Sequence, residues 1–76
     1  MAYLTFRDAQ SVSPSDTATI TASALYVGVS GDIRADMLNG QSNVLFKAVP
    51  VGILAATVTR VYATGTTATN ILALRV

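Results

Sequence analysis

Residues Ala24 to Tyr62, ALYVGVSGDIRADMLNGQSNVLFKAVPVGILAATVTRVY, decide the fold class. Leu25, Val27 and Val29 alternate with Tyr26 and Gly28, and Ile33, Ala35 and Met37 alternate with Asp32, Arg34 and Asp36. Successive side chains on a strand point to opposite faces, so a period of two with a dry and a wet side predicts strand. Ser30-Gly31 offers one tight turn and Asn39-Gly40 a second. Asn-Gly accepts the positive φ values that a two-residue hairpin loop requires. Val44-Leu45-Phe46 follows, Pro50-Val51-Gly52 breaks the chain, and the apolar and threonine-rich run Ile53 to Tyr62 reads as one long strand. The expectation is three hairpin-linked strands feeding a fourth, a β-meander. Gly28, inside a strand pattern, predicts a bulge or a close backbone approach. Both faces of Ile53–Tyr62 carry apolar groups, so this strand is expected to be covered on both sides, by the core and by a neighbouring subunit.

Outward from that stretch the pattern weakens. Tyr3-Leu4-Thr5-Phe6 is a short edge strand or an arm that docks on a neighbour. Asp8 to Asp16, with three serines around Pro14, reads as a loop or connector, so residues 1–16 form a candidate N-terminal arm or linker. Thr17 to Thr21 alternates β-branched residues with alanine and suggests a strand with a modest apolar face. Ala63 to Asn70 is a small-residue turn in which Gly65 is free to take positive φ, and Ile71 to Val76 ends the chain as a strand. Helix is a poor alternative: there is no glutamate, a single lysine, and many β-branched residues. The fold class is all-β, a small antiparallel sandwich or barrel in one domain spanning residues 1–76.

A chain of 76 residues buries only about 60% of the surface it exposes when unfolded, so its own core is marginal. It has no cysteine and no histidine, which removes disulfide staples and the usual zinc frameworks. Hydrophobic residues make up 51% and charged residues only 12%, about half the charged share of ordinary soluble domains. Too few charges remain to cover a monomer in the usual way, and the surplus apolar surface points to subunit interfaces and a cyclic homo-oligomer. The net charge of +1 is scattered, with no basic stripe for phosphates, so no nucleic-acid partner is expected. No apolar run approaches the ~20 residues that span a bilayer, so no membrane partner is expected either. Met1–Arg7 lacks the layout of a signal peptide, and synthesis in a host cytoplasm is expected.

The inventory of reactive groups is thin. Asp32 and Asp36, four apart on a strand, lie roughly 13 Å from each other, too far for a shared proton or a glycosidase pair unless a bulge folds them together. They read as solvated residues beside Arg34, with a small hydrolase as the weak rival. Ser30-Gly31-Asp32 lacks the alternating acidic residues of a calcium loop, and Thr64–Thr69 lacks the lysine of a phosphate loop. No metal, cofactor or catalytic residue is assigned. Arg60, mid-strand between Val58 and Tyr62, cannot shed its charge and needs a carboxylate, with Asp8, Asp16, Asp32 and Asp36 as the partners available. Tyr3, Tyr26 and Tyr62 are interface or core-edge tyrosines, or else stacking platforms of a carbohydrate-binding module. The candidate interface residues are Tyr3, Phe6, Tyr26, Arg60, Tyr62, Thr66 and Thr67.

Ala24-Leu25-Tyr26-Val27-Gly28, Ser30-Gly31-Asp32, Val49-Pro50-Val51-Gly52-Ile53-Leu54 and Thr59-Arg60-Val61-Tyr62-Ala63-Thr64-Gly65-Thr66-Thr67-Ala68 carry a further signal. With them the chain resembles the small spike-base and head decoration proteins of tailed phages and gene transfer agents. The resemblance runs from Thr17 to Leu74, and Arg60 to Ala68 is its most specific part. It departs at the short N-terminus and at Met37, Leu38 and Val51. The resemblance implies a virion structural protein without catalysis, mounted on the major capsid protein or another virion protein, and serving as a base for a fibre or spike. Capsid vertex, capsid face, and neck or tail are all compatible positions. Arg60, Thr66 and Thr67 would then be structural or contact residues.

Overall fold

The computed structural model describes residues 5–76, and every regular element in them is a strand: β1 (Asp8–Ser11), β2 (Ala24–Val29), β3 (Gly31–Met37), β4 (Val44–Val49), β5 (Gly52–Leu54), β6 (Val58–Val61) and β7 (Thr69–Arg75). They form two antiparallel sheets, one in the order β1-β7-β2-β5 and one in the order β4-β3-β6. The predicted all-β class holds, as a two-sheet sandwich. Leu25, Val27, Ile71 and Ala73 from the larger sheet meet Ile33, Ala35, Val58 and Val61 from the smaller, with Val49 and the alanines at 22, 56 and 68 between them. Leu25, Val27, Ile33 and Val58 are fully buried, each contributing about 1.5–3 kcal/mol through removal of its apolar surface from water.

The topology corrects the meander. Only β3 and β4 are consecutive in sequence and paired. β2 and β3 belong to different sheets, and Ser30 alone joins them. The apolar alternation on both sides of Ser30 is real, but one connecting residue turns the chain across the sandwich instead of back along a hairpin. Glycine makes the crossing fit. A Cβ at Gly31 would lie 2.6 Å from the Ala68 nitrogen, and one at Gly28 would lie 2.7 Å from Asn70 Cβ, the close approach expected of Gly28.

The long strand Ile53–Tyr62 is also corrected. It divides at Ala55–Thr57 into β5, beside β2, and β6, beside β3. Ala56 N donates to Leu54 O at 2.9 Å, and Ala56 is buried at the bend, so a methyl-sized residue lets the chain pass between sheets. Val58 and Val61 enter the core, whereas Ile53 is 57% exposed. Asn39-Gly40 lies in a loop of six residues between β3 and β4, with Gly40 at φ +104° and Gln41 O accepting from Met37 N, not in a two-residue turn.

Two further expectations fail near the N-terminus. The polar stretch after Arg7 opens with a strand, because β1 needs only backbone partners and finds them on β7. Thr17–Thr21 is irregular, although Ile20 N donates to Thr59 O and Ala22 bridges Val58, so the segment still lines the outer edge of β6. Tyr3 and Leu4 lie outside the described residues. Thr5 and Phe6 are described and are not strand. β7 closes the chain as expected, and Pro50 separates β4 from β5.

Candidate functional site

The two outer faces of the sandwich differ in chemistry. On the smaller sheet, Asp32, Arg34 and Asp36 alternate with the buried Ile33 and Ala35 and so point outward. Arg60 on β6 stands opposite Asp36, and Tyr62 N donates to Arg34 O just beyond. Asp36 is the hub of this face. Its Oδ1 accepts from Tyr62 Oη at 2.8 Å and from Asn43 N at 3.0 Å, and its Oδ2 meets Arg60 Nη1 at 3.2 Å. The Tyr62 hydroxyl, then the Asn43 amide and the Arg60 charge, hold the Asp36 carboxyl below the usual carboxylate range, against a smaller cost of desolvation. Arg60 also donates through Nη2 to Thr17 O and stands 5.6 Å from the centre of the Tyr62 ring. The structural pairing expected for Arg60 is present, with Asp36 as the partner.

Asp32 holds the other end of the same strand pair. Its Oδ1 accepts from Ala48 N at 2.9 Å, its own N–H donates to Thr67 Oγ1 at 2.8 Å, and its carbonyl accepts from the Thr67 and Ala68 amides. Asn43 and Ala48, which flank or end β4, both have positive φ, at 55° and 53°. Each therefore gives its N–H to a β3 aspartate. The two carboxylates that sequence spacing leaves as solvated groups are the pins that hold β4 in register. Neither shares a partner or a proton with the other.

The Gly65 turn is built on the same face. Thr66 Oγ1 accepts from Arg34 N at 3.0 Å, and a Cβ at Gly65, which has φ +92°, would lie 3.0 Å from the Arg34 guanidinium. Asp16 clasps the turn from outside, accepting from Thr64 N at 2.9 Å and from Thr64 Oγ1 at 2.6 Å. Those two bonds push the Asp16 carboxyl below its ordinary value. The hydroxyls of Thr66 and Thr67 are thus engaged inside the chain.

The opposite face carries no charge at its outward positions. Pairing sets Ser11, Leu72, Tyr26 and Ile53 in one row across β1, β7, β2 and β5, and Ala9, Leu74 and Ala24 in another. Ile53 is 57% exposed, Val51 58% and Tyr26 38%. The candidate residues therefore divide: Arg60, Tyr62, Thr66 and Thr67 lie on the polar side, Tyr26 lies on the apolar side, and Phe6 is half-buried just before β1. Tyr3 is outside the described residues. Sequence reasoning missed Asp32, Asp36 and Asp16 as clamps. It missed Ile53 and Leu72 as neighbours of Tyr26, because that row exists only through β2 pairing with β5 and β7. Among the described residues, no group of three or more His, Cys, Asp or Glu side chains is placed to hold a metal ion.

An open cleft of about 460 Å³ lies at one side of the sandwich, lined by Gln10, Ser11, Val12, Ser13, Thr19–Thr21, Ala73 and Arg75. Arg75 bridges its end, donating to Thr21 O, Asp8 and Gln10.

No family model and no curated protein matches the chain. Among solved structures, it is similar to a chain described as the capsid of a native GTA (gene transfer agent) particle computed with C5 symmetry. The two share 27% identity and a TM-score of 0.82, over 93% of this chain and 84% of that one.

Proposed function

We propose that this chain is a virion structural protein that works by protein–protein assembly as a capsid-mounted spike-base or decoration module. The observation that carries the reading is its likeness, over nearly its whole length, to a chain of a GTA capsid at 27% identity. The chemistry of the surface supports it. A rigid polar face, with its carboxylates engaged by backbone amides, backs an uncharged outer face of Val51, Ile53, Tyr26 and Leu72 that suits burial against a neighbour. Assembly as a cyclic homo-oligomer follows from that face and from the small core.

The test is sedimentation of purified particles, followed by mass spectrometry of the particle band. The chain is expected in that band at a fixed ratio to the major capsid protein. A chain found only in the soluble fraction refutes the reading. Light scattering of the isolated protein at micromolar concentration tests self-assembly separately. Wild type is expected above monomer mass, and Val51→Lys/Ile53→Lys at monomer mass with an unchanged melting temperature. A folded, monomeric wild type refutes the homo-oligomer.

A further inference from the structure

A sandwich of two open sheets has four edges, and exposed edges are places where another strand can pair. Three are guarded here. The β4 edge carries Lys47 and a positive-φ Ala48 that breaks its regularity. β5 has three residues and starts two after Pro50. The β6 edge is covered by the chain from Ser15 to Ala22, through Ser15 N to Val61 O, Ile20 N to Thr59 O and the Ala22–Val58 bridge.

β1 has none of these guards. Its four residues are all exposed, contain no proline, lysine or bulge, and pair on one side only, with β7. Val12 N donates to Ile71 O at 2.9 Å, which sets the phase of the ladder. Hydrogen-bonded pairs alternate in an antiparallel pair, so Asp8 and Gln10 face β7 while Ala9 and Ser11 turn their N–H and C=O away from it. The 460 Å³ cleft opens beside this edge and shares Gln10 and Ser11 with it. Ser11, Ser13, Thr19 and Thr21 give it hydroxyls. Its one charged side chain, Arg75, is already bonded to Asp8, Gln10 and the Thr21 carbonyl.

We infer that the β1 edge and this cleft receive an extended, uncharged segment of a different protein, which adds a strand outside β1 and places small hydroxyl or amide side chains among Ser13, Thr19 and Thr21. The donor is a different protein because the extended stretches of this chain, among the described residues, are already hydrogen-bonded within its own fold. The inference rests on the assembly reading and assigns the docking edge within it.

Amide hydrogen exchange on purified particles that carry the chain, compared with the free chain, reads the assignment directly. Ala9 and Ser11 amides are expected to exchange at least tenfold more slowly in the particle. Ala9→Pro removes an outward N–H that the fold does not use, and is expected to lower incorporation at least tenfold. Ser13→Arg, which fills the cleft without touching the ladder, is expected to do the same if Ala9→Pro misfolds. A photoreactive residue at position 13 is expected to cross-link to an extended segment of another particle protein. Wild-type chain present in particles with Ala9 and Ser11 unprotected, or cross-linked to a second copy of itself, overturns the β1 assignment and leaves the assembly reading intact. Wild-type chain absent from particles overturns the assembly reading itself.

Discussion

Gly31→Ala is the sharpest test of how the two sheets are joined. A Cβ there would sit 2.6 Å from Ala68 N, 2.7 Å from Thr67 Oγ1 and 2.9 Å from Ala68 Cα. Two of these atoms are backbone, and Ala68 is 3% exposed, so the 66–68 segment must retreat as a unit. Its retreat breaks the bonds from Thr67 N and Ala68 N to Asp32 O and from Asp32 N to Thr67 Oγ1. At a net ~1 kcal/mol for each hydrogen bond, the loss is about 3 kcal/mol. A domain of this size holds roughly 4–11 kcal/mol in total, and 1 kcal/mol shifts its melting temperature by about 4–8 °C. Thermal melting by circular dichroism should therefore show a fall of about 12–24 °C. Ser30→Ala, at the exposed neighbour, should change stability by less than about 0.5 kcal/mol. A Gly31→Ala protein that melts within about 4 °C of wild type would refute the close packing of the crossover against the Gly65 turn.

The other outcomes concern the polar face. The Asp36 and Asp16 carboxyls are depressed in the folded protein, so their stabilisation is fully present above the unfolded pKa, near 4, and is lost as pH falls through the lower folded value. Melting temperature should be flat from pH 7 to about 5 and fall below pH 4, and Tyr62→Phe should move the Asp36 titration, followed by carboxyl NMR, back towards the ordinary value. Ala48→Gly should raise the melting temperature by a few degrees, because relief of an alanine at φ 53° exceeds the added freedom of glycine in the unfolded chain. A fall would show that Ala48 is not strained.

Alternation made β2, β3 and the buried positions Leu25, Val27, Ile33 and Ala35 legible, because a period of two depends only on which face of one strand is dry. Arg60 was legible as a residue in need of a carboxylate, since a charge that cannot be shed must be paired. Partner choice among strands was not legible. Nothing in Ser30 itself says whether the chain turns back or crosses, and only the absence of a Cβ at Gly31 beside Ala68 decides it. β1 was missed because its ladder uses backbone groups and Asp-Ala-Gln-Ser leaves no apolar trace. The roles of Asp32 and Asp36 were hidden for a related reason. Their partners, Ala48 N and Asn43 N, are backbone donors whose availability follows from positive φ, and neither alanine nor asparagine announces that conformation in a strand-rich sequence.

Those two aspartates also permit a decision between one coupled network and two separate pins. As a network, the polar face would transmit a disturbance from the Gly65 turn to the Arg60–Tyr62 end. As separate pins, each would hold one end of β4 alone. The bonds favour separate pins: Asp32 holds Ala48 and the Thr67 turn, Asp36 holds Asn43, Tyr62 and Arg60, and no partner is common to both. Four residues of strand set them roughly 13 Å apart, beyond the range at which substitutions usually couple. Asp32→Asn and Asp36→Asn should each lower the melting temperature, and the double variant should show the sum of the two shifts to within about 3 °C. Amide exchange should report the same division, with Ala48 released by the first change and Asn43 by the second. A double variant that melts no lower than the worse single one would mean that β4 detaches as a whole once either end is freed, and the two-pin account would be wrong.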